Sequence, residues 1–180
     1  MSFKRQTLEQ EKIQQFLHNA RIGHLGLYDG EYPYVIPLNF VWWRDSIYFH
    51  GADSGKKSEC MQRHPQVSFT VSEEYGTLAD PVPGDTDTAF MSVIVTGRVE
   101  RLTDLDEATE VLQQLLNKYV PGYFESPLAK HHVKTYRSSR DLGVTVFRIQ
   151  TDTLTAKENP LKEGKLFYPG RTQKQDLRQS

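Results

Sequence analysis

The sequence predicts a mainly β domain, an antiparallel barrel with peripheral helices. Three observations predict it. About six segments alternate apolar and polar residues and follow one another in hairpin order. Turn signals separate them, chiefly Asp29-Gly30 and Arg44-Asp45. Amphipathic stretches with helical apolar spacing are inserted between the strands.

Taken in order, Thr7 to Ala20 reads as a helix with Ile13, Phe16, Leu17 and Ala20 on one face. Thr7-x-x-Gln10 resembles a capping box, and Gly23 stands just past the end. A meander follows: a strand over His24–Tyr28, the Asp29-Gly30 turn, then a longer strand over Tyr32–Trp42. Pro33 and Pro37 within that strand predict an edge, a bulge or a bend. After Arg44-Asp45 a half-buried strand runs over Ile47–His50. A short helix should reach about Arg63 and stop before Pro65. Val67, Phe69 and Val71 point inward from a strand over Gln66–Ser72, and Glu73–Thr88 reads as a polar loop. A long strand over Ala89–Arg101 carries Gly97 as the mark of a bulge. Asp104–Lys118 is an amphipathic helix with Ala108, Val111, Leu112, Leu115 and Leu116 apolar, broken by Pro121-Gly122. A further short helix fits within Ser126–Tyr136, and Leu142–Gln150 is the last strand. From Thr151 the composition turns to Lys, Gln, Thr and Glu, either an ordered arm over a partner subunit or a partly disordered tail. Residues 1–157 then form the domain and 158–180 the arm or tail, whose apolar cluster is Leu166-Phe167-Tyr168.

At 180 residues one domain is the simplest division. With 22 basic and 23 acidic residues there is no global field for nucleic acid or acidic membranes. No apolar run is long enough to span a bilayer, and Met1–Gln6 lack the apolar core of a signal peptide. A single cysteine, Cys60, leaves no intrachain disulfide and no Cys-rich zinc site. The expectation is a cytoplasmic protein without nucleic-acid or membrane partners.

The chemistry concentrates in Tyr48-Phe49-His50-Gly51-Ala52-Asp53-Ser54-Gly55-Lys56-Lys57. A strand ends, small residues turn the chain, and a helix begins with Ser54 placed to cap it. Helix N-termini offer unpaired N–H groups and a positive dipole end. Two lysines in such a first turn reverse the usual charge preference, so they answer an anion, most simply a phosphate. The alternative is that they are merely solvated. The spacing is not that of a Walker A loop.

The ordered series Gly23-His24-Leu25-Gly26-Leu27, Tyr34-Val35-Ile36-Pro37-Leu38-Asn39-Phe40, Ile47–Ala52, Gly55-Lys56-Lys57, His64–Phe69, Ser92–Glu100 and Val144–Ile149 resembles the FMN-binding split-barrel superfamily. That superfamily includes the pyridoxamine 5′-phosphate oxidases, and within it the chain is most similar to the nitroimidazole-resistance (Nim) flavoproteins. The likeness spans roughly Leu8 to Lys157. It implies an antiparallel split barrel, FMN as cofactor, and a homodimer with flavin at the interface. It implies phosphate contacts from Ser54, Lys56 and Lys57, and a cofactor-binding strand in which Pro37, Leu38 and Asn39 run along the ring system. Phe49 and His50 border the same site, with His50 the candidate catalytic proton donor or, alternatively, a haem ligand. The pyridoxamine oxidases carry Ser-Arg-Lys on the phosphate side; Ser54-Gly55-Lys56-Lys57 has an extra Gly and no Arg, which argues against pyridoxal chemistry.

Other residues read structurally. His24 and His64 are expected in the framework, and adjacent His131 and His132 face different ways on a helix, so no metal site is expected. Trp42-Trp43 suit a subunit interface, Cys60 and Met61 the core, and Arg98 and Arg148 cross-sheet ion pairs. The function implied by the resemblance is an FMN-dependent oxidoreductase passing electrons from NAD(P)H to a small aromatic, nitroimidazole-like acceptor, against which Phe40, Tyr48 or Phe49 could lie. The alternative is a haem- or flavin-binding protein without turnover.

Overall fold

Strands form here wherever apolar side chains recur at every second position, and their common inner face makes the core. The computed structural model describes residues 9–136 and 144–178. Seven strands are β1 (Ile22–Tyr28), β2 (Pro33–Asn39), β3 (Val41–Trp43), β4 (Ser46–Ala52), β5 (Gln66–Leu78), β6 (Asp87–Arg101) and β7 (Val144–Asn159). They pair antiparallel throughout in the order β2-β1-β5-β6-β7-β4-β3. The described helices are α1 (Gln10–Asn19), α2 (Lys56–Arg63), α3 (Leu105–Tyr119), α4 (Lys130–Lys134) and α5 (Gln173–Asp176). β2 and β3 are the sheet's two edges, and no ladder joins them among the described residues, so the barrel stays split along that seam. No described helix is long and apolar enough to cross a membrane.

The edge position explains the prolines of β2, since an edge strand leaves one set of N–H positions outside the ladder. The single strand expected over Tyr32–Trp42 is instead two. It breaks at Phe40, whose N–H donates to the Tyr119 hydroxyl at 3.0 Å rather than to a neighbouring strand. The hydroxyl itself donates to the Arg21 carbonyl at 2.5 Å. Phe40 is fully buried, packed edge-on against Phe69. The Arg44-Asp45 turn forms as expected, both residues at positive φ (48° and 54°), the backbone that twists a two-residue hairpin correctly.

Three expectations are corrected by pairing and packing. β4 is not half-buried: Ser46 to Phe49 are all buried, because α3 covers its second face and sets Tyr48 among Ala108, Val111, Leu115 and Val146. Glu73–Thr88 is not one loop. β5 continues to Leu78 and β6 begins at Asp87, with a bulge at Gly76 (φ 127°); backbone ladders need no apolar side chains, so this polar hairpin escapes a periodicity test. β7 likewise runs on to Asn159, pairing with β6, while Leu154 and Ala156 pack at the core between outward Thr and Lys residues.

Beyond β7 the chain folds back along the β5–β6 hairpin. Phe167 N–H donates to the Thr77 carbonyl and Ala79 N–H to the Lys165 carbonyl, both at 2.8 Å, while Lys165 pairs with Asp80. The Thr7 end of the first helix lies outside the described residues. α2 starts after Gly55 at φ 93°, and the Ser54 side chain makes no cap bond, contrary to expectation. Glycine takes that left-handed turn at little cost, and the Ser58 hydroxyl braces it by donating to the Ala52 carbonyl at 3.0 Å. Asp104 caps α3, accepting from the N–H groups of Asp106 and Glu107.

One lysine sits uncomfortably in this framework. Lys118 lies 4.1 Å over the Phe40 ring and donates to the Leu17 carbonyl, and desolvation lowers its pKa to about 8, with the nearby Arg21 charge second. Between that value and the ordinary lysine range the unfolded chain holds more protons, so stability rises with pH there and the charge is a full burden below pH 8. Lys118→Met is expected to raise stability at pH 7 by about 1 kcal/mol after allowance for screening and the lost ring contact, with the gain vanishing near pH 10.5. Thermal unfolding of both proteins across that range checks it; a gain that grows with pH would contradict the assignment.

Candidate functional site

The site forms where β4 ends and α2 begins. In the ladder Phe49 lies opposite Phe147, and Phe147 opposite Arg101, so these side chains rise from one face of the sheet. The Phe49 and Phe147 rings stack at 5.3 Å and 19°. Above them rests Lys57, its Nζ 4.8 Å from the Phe147 centroid and 5.7 Å from that of Phe49. Gly51 makes room for it: a Cβ there would fall 2.0 Å from Lys57 Nζ. Among the described residues Lys57 has no hydrogen-bond acceptor and no carboxylate, and its burial pushes the amine's pKa down. A half-buried ammonium without a partner is costly. An incoming anion removes that cost, and a phosphate does so as well as any.

The neighbouring lysine is committed elsewhere. Lys56 pairs with Asp29 at 2.9 Å and lies 4.6 Å over the Tyr34 ring. The hydrogen bond to Asp29 raises its pKa. Asp29 in turn is held well below the usual carboxylate range, first by the Tyr32 N–H and then by Lys56. Lys56 therefore clamps α2 to the β1–β2 turn across the split. Ser54 is exposed on the approach to α2, its side chain without a partner among the described residues. Pro37 and Asn39 face outward from β2 while Leu38 turns toward the core. Phe49 is fully buried and meets the site only as the ring beneath Lys57.

His50 points the other way. It follows Tyr48 on the α3 side of β4 and lines an apolar cavity of about 240 Å³ with Leu112, Leu115, Phe124, His132 and Val133. The ring keeps an exposed edge, yet the cavity wall desolvates it, and with Lys57 as second cause its pKa falls below the ordinary histidine value. The structure thus brings Lys57 and Phe49 together and sets His50 apart from them across the strand. Next to His50, Tyr48 donates to Glu107 at 3.0 Å, and Arg148 joins Glu100 and Glu107, the cross-sheet pairing its strand position suggested. Trp43 packs on Tyr48 with Arg44 over its ring. Cys60 and Met61 are buried, and His64 contacts the Tyr28 ring.

Sequence reasoning missed Phe147 as the ring beneath Lys57 and Arg101 as the ladder partner of Phe147. Nothing local marks them; only the register of β4, β7 and β6 brings them beside α2.

The family model for pyridoxamine 5′-phosphate oxidase matches residues 9–158. Among solved structures, the flavocytochrome Anf3 from Azotobacter vinelandii superposes with a TM-score of 0.70 at 22% identity, covering 86% of this chain and 71% of that one. A candidate 5-nitroimidazole antibiotic resistance protein from Bacteroides thetaiotaomicron gives 0.65 at 25% identity, covering 82% of each. An FAD-binding protein from Mesorhizobium loti gives 0.54 at 26% identity, covering 86% and 97%. No curated protein matches the chain.

Proposed function

Because the chain belongs to the pyridoxamine 5′-phosphate oxidase family, we propose that it is a flavoprotein whose cofactor phosphate is held by Lys57. The observation that carries this is the unpaired, half-buried amine nested against Gly51. Its chemistry fits the group: a point charge with three donors at the head of a helix. FMN is the form read from the sequence, with the edge strand β2 alongside the ring system through Pro37, Leu38 and Asn39.

A bound flavin supplies the electron-transfer chemistry. The chain's own residues bind it, orient it and keep water from the phosphate. The acceptor class proposed is a small aromatic, nitroimidazole-like molecule, and the donor NAD(P)H; the Bacteroides neighbour supports the first. A second copy of the chain completes the site. The outward face of β1, β2 and β6 exposes Ile22, Val35 and Ile94 among polar neighbours such as His24 and Thr70, a mixed surface open to a second copy.

A second reading, a haem-binding protein without turnover, is favoured by one arrangement: His50 and His132 line the same apolar cavity. The absorption spectrum of the purified protein separates the two. A two-band flavin spectrum, released on denaturation and bleached anaerobically by NADH or NADPH, is expected. An intense Soret band would establish the haem reading instead. Protein that takes up neither cofactor on titration would overturn both.

A further inference from the structure

The proposed cofactor site has two halves on different parts of the sheet. The ring strand β2 is one edge, whereas Lys57 sits on α2, which follows β4 near the other edge. No ladder joins β2 to β4 among the described residues. What ties α2 to β2 is the β1–β2 turn. At the head of α2, Lys56 pairs with Asp29 at 2.9 Å and lies 4.6 Å over the Tyr34 ring of β2. Just past its tail, the His64 ring meets the Tyr28 ring at 5.1 Å. Asp29 is ordered independently of the lysine. Its carboxylate accepts the N–H groups of Tyr32 at 2.7 Å and Glu31 at 2.9 Å, so only the Lys56 side chain loses freedom when the pair forms. Such a pair adds little stability. Its larger consequence is geometric, because Lys57 is the next residue along the helix and its amine is seated over Phe147.

We infer that Asp29 is a positioning residue for the flavin: acting through Lys56, it fixes the span between the phosphate lysine on α2 and the ring strand β2. This rests on the Lys57 phosphate reading and deepens it. A ligand anchored at both ends responds to that span, and a ligand held by its ring alone does not. The rival arrangement has Lys56 itself on the phosphate. Asp29 would then compete for the amine, and removing its charge would leave FMN binding unchanged or tighten it.

The test is isothermal titration of the full-length protein, freed of bound flavin, with FMN and riboflavin. Wild type, D29N, K56M, K56R, K57M and D29N/K57M are compared, and thermal unfolding of each is recorded. D29N keeps an oxygen for the two N–H groups and loses only the charge. D29N and K56M are each expected to weaken FMN by about three- to fivefold, near the ceiling for an exposed ion pair, with riboflavin within about twofold of wild type. K56R keeps the pair and should recover most of the loss seen in K56M. D29N/K57M should bind FMN no more weakly than K57M, because Asp29 acts only through the place of Lys57. Unchanged or tighter FMN binding by D29N overturns the inference, as does an equal loss of riboflavin affinity or a full further loss in D29N/K57M. If D29N lowers the unfolding temperature, K56M against K56R carries the same comparison, and equal FMN binding by those two overturns the inference. K57M reports separately: if it spares FMN, or if wild type binds no FMN, the phosphate reading fails and the inference fails with it.

Discussion

Lys57→Met is expected to weaken FMN binding by roughly 10- to 100-fold, the worth of a charge-assisted contact of about 1.5–3 kcal/mol, while leaving riboflavin within about twofold. The asymmetry follows from geometry. Lys57 has no acceptor or carboxylate among the described residues to lose, only its contacts with the rings, so its removal costs the fold little and the methionine stem still covers Phe147. Lys56→Met should cost less in FMN affinity, because that amine already serves Asp29. Gly51→Ala is a second probe that leaves the charge in place. Its Cβ would occupy the amine's position at 2.0 Å and push the lysine out of its seat, so FMN should weaken again with riboflavin spared. Isothermal titration with both ligands decides the matter. Equal loss for FMN and riboflavin in K57M would show that this lysine does not read the phosphate.

Gly97→Ala is expected to destabilise the fold by about 3 kcal/mol or more, at the severe end of overpacking costs. Gly97 sits at the register shift between β6 and β7, and a Cβ there would lie 2.0 Å from the Gln150 carbonyl oxygen and 3.1 Å from the Ile149 side chain. The obstacle is backbone in the central ladder, which cannot swing aside as a side chain would. At Gly51, by contrast, the obstacle is the end of a flexible lysine. Chemical denaturation of the two alanine variants should therefore separate them: a large drop in midpoint for Gly97→Ala, a small one for Gly51→Ala. A stable Gly97→Ala protein would mean the bulge can relax.

Much of this architecture was legible from side-chain pattern. Val67, Phe69 and Val71 alternate into the core, Phe16, Leu17 and Ala20 share a buried helix face, and Val111, Leu112 and Leu115 do the same on α3. Gly97 marked its bulge because only glycine tolerates that approach. The misses fall in the Glu73–Leu78 arm of β5, where backbone pairing acts without apolar alternation, and in the Thr151–Asn159 run of β7, where only Leu154 and Ala156 alternate inward. β4 was misjudged because burial on its second face depends on where α3 lands.

The site divides along the same line. By itself the chain determined that a strand, a glycine turn and a lysine-headed helix would follow one another from Tyr48 to Lys57, since backbone freedom and helix-end electrostatics are local properties. Only the tertiary structure decided which lysine is free. The β1–β2 turn brings Asp29 to Lys56, and the β4–β7 register sets Phe147 beside Phe49 beneath Lys57. The alternation of β4, closed over by α3, turns His50 into a separate cavity. Those outcomes depend on contacts between segments far apart in the chain, and charge pairing and desolvation exist only once the segments meet.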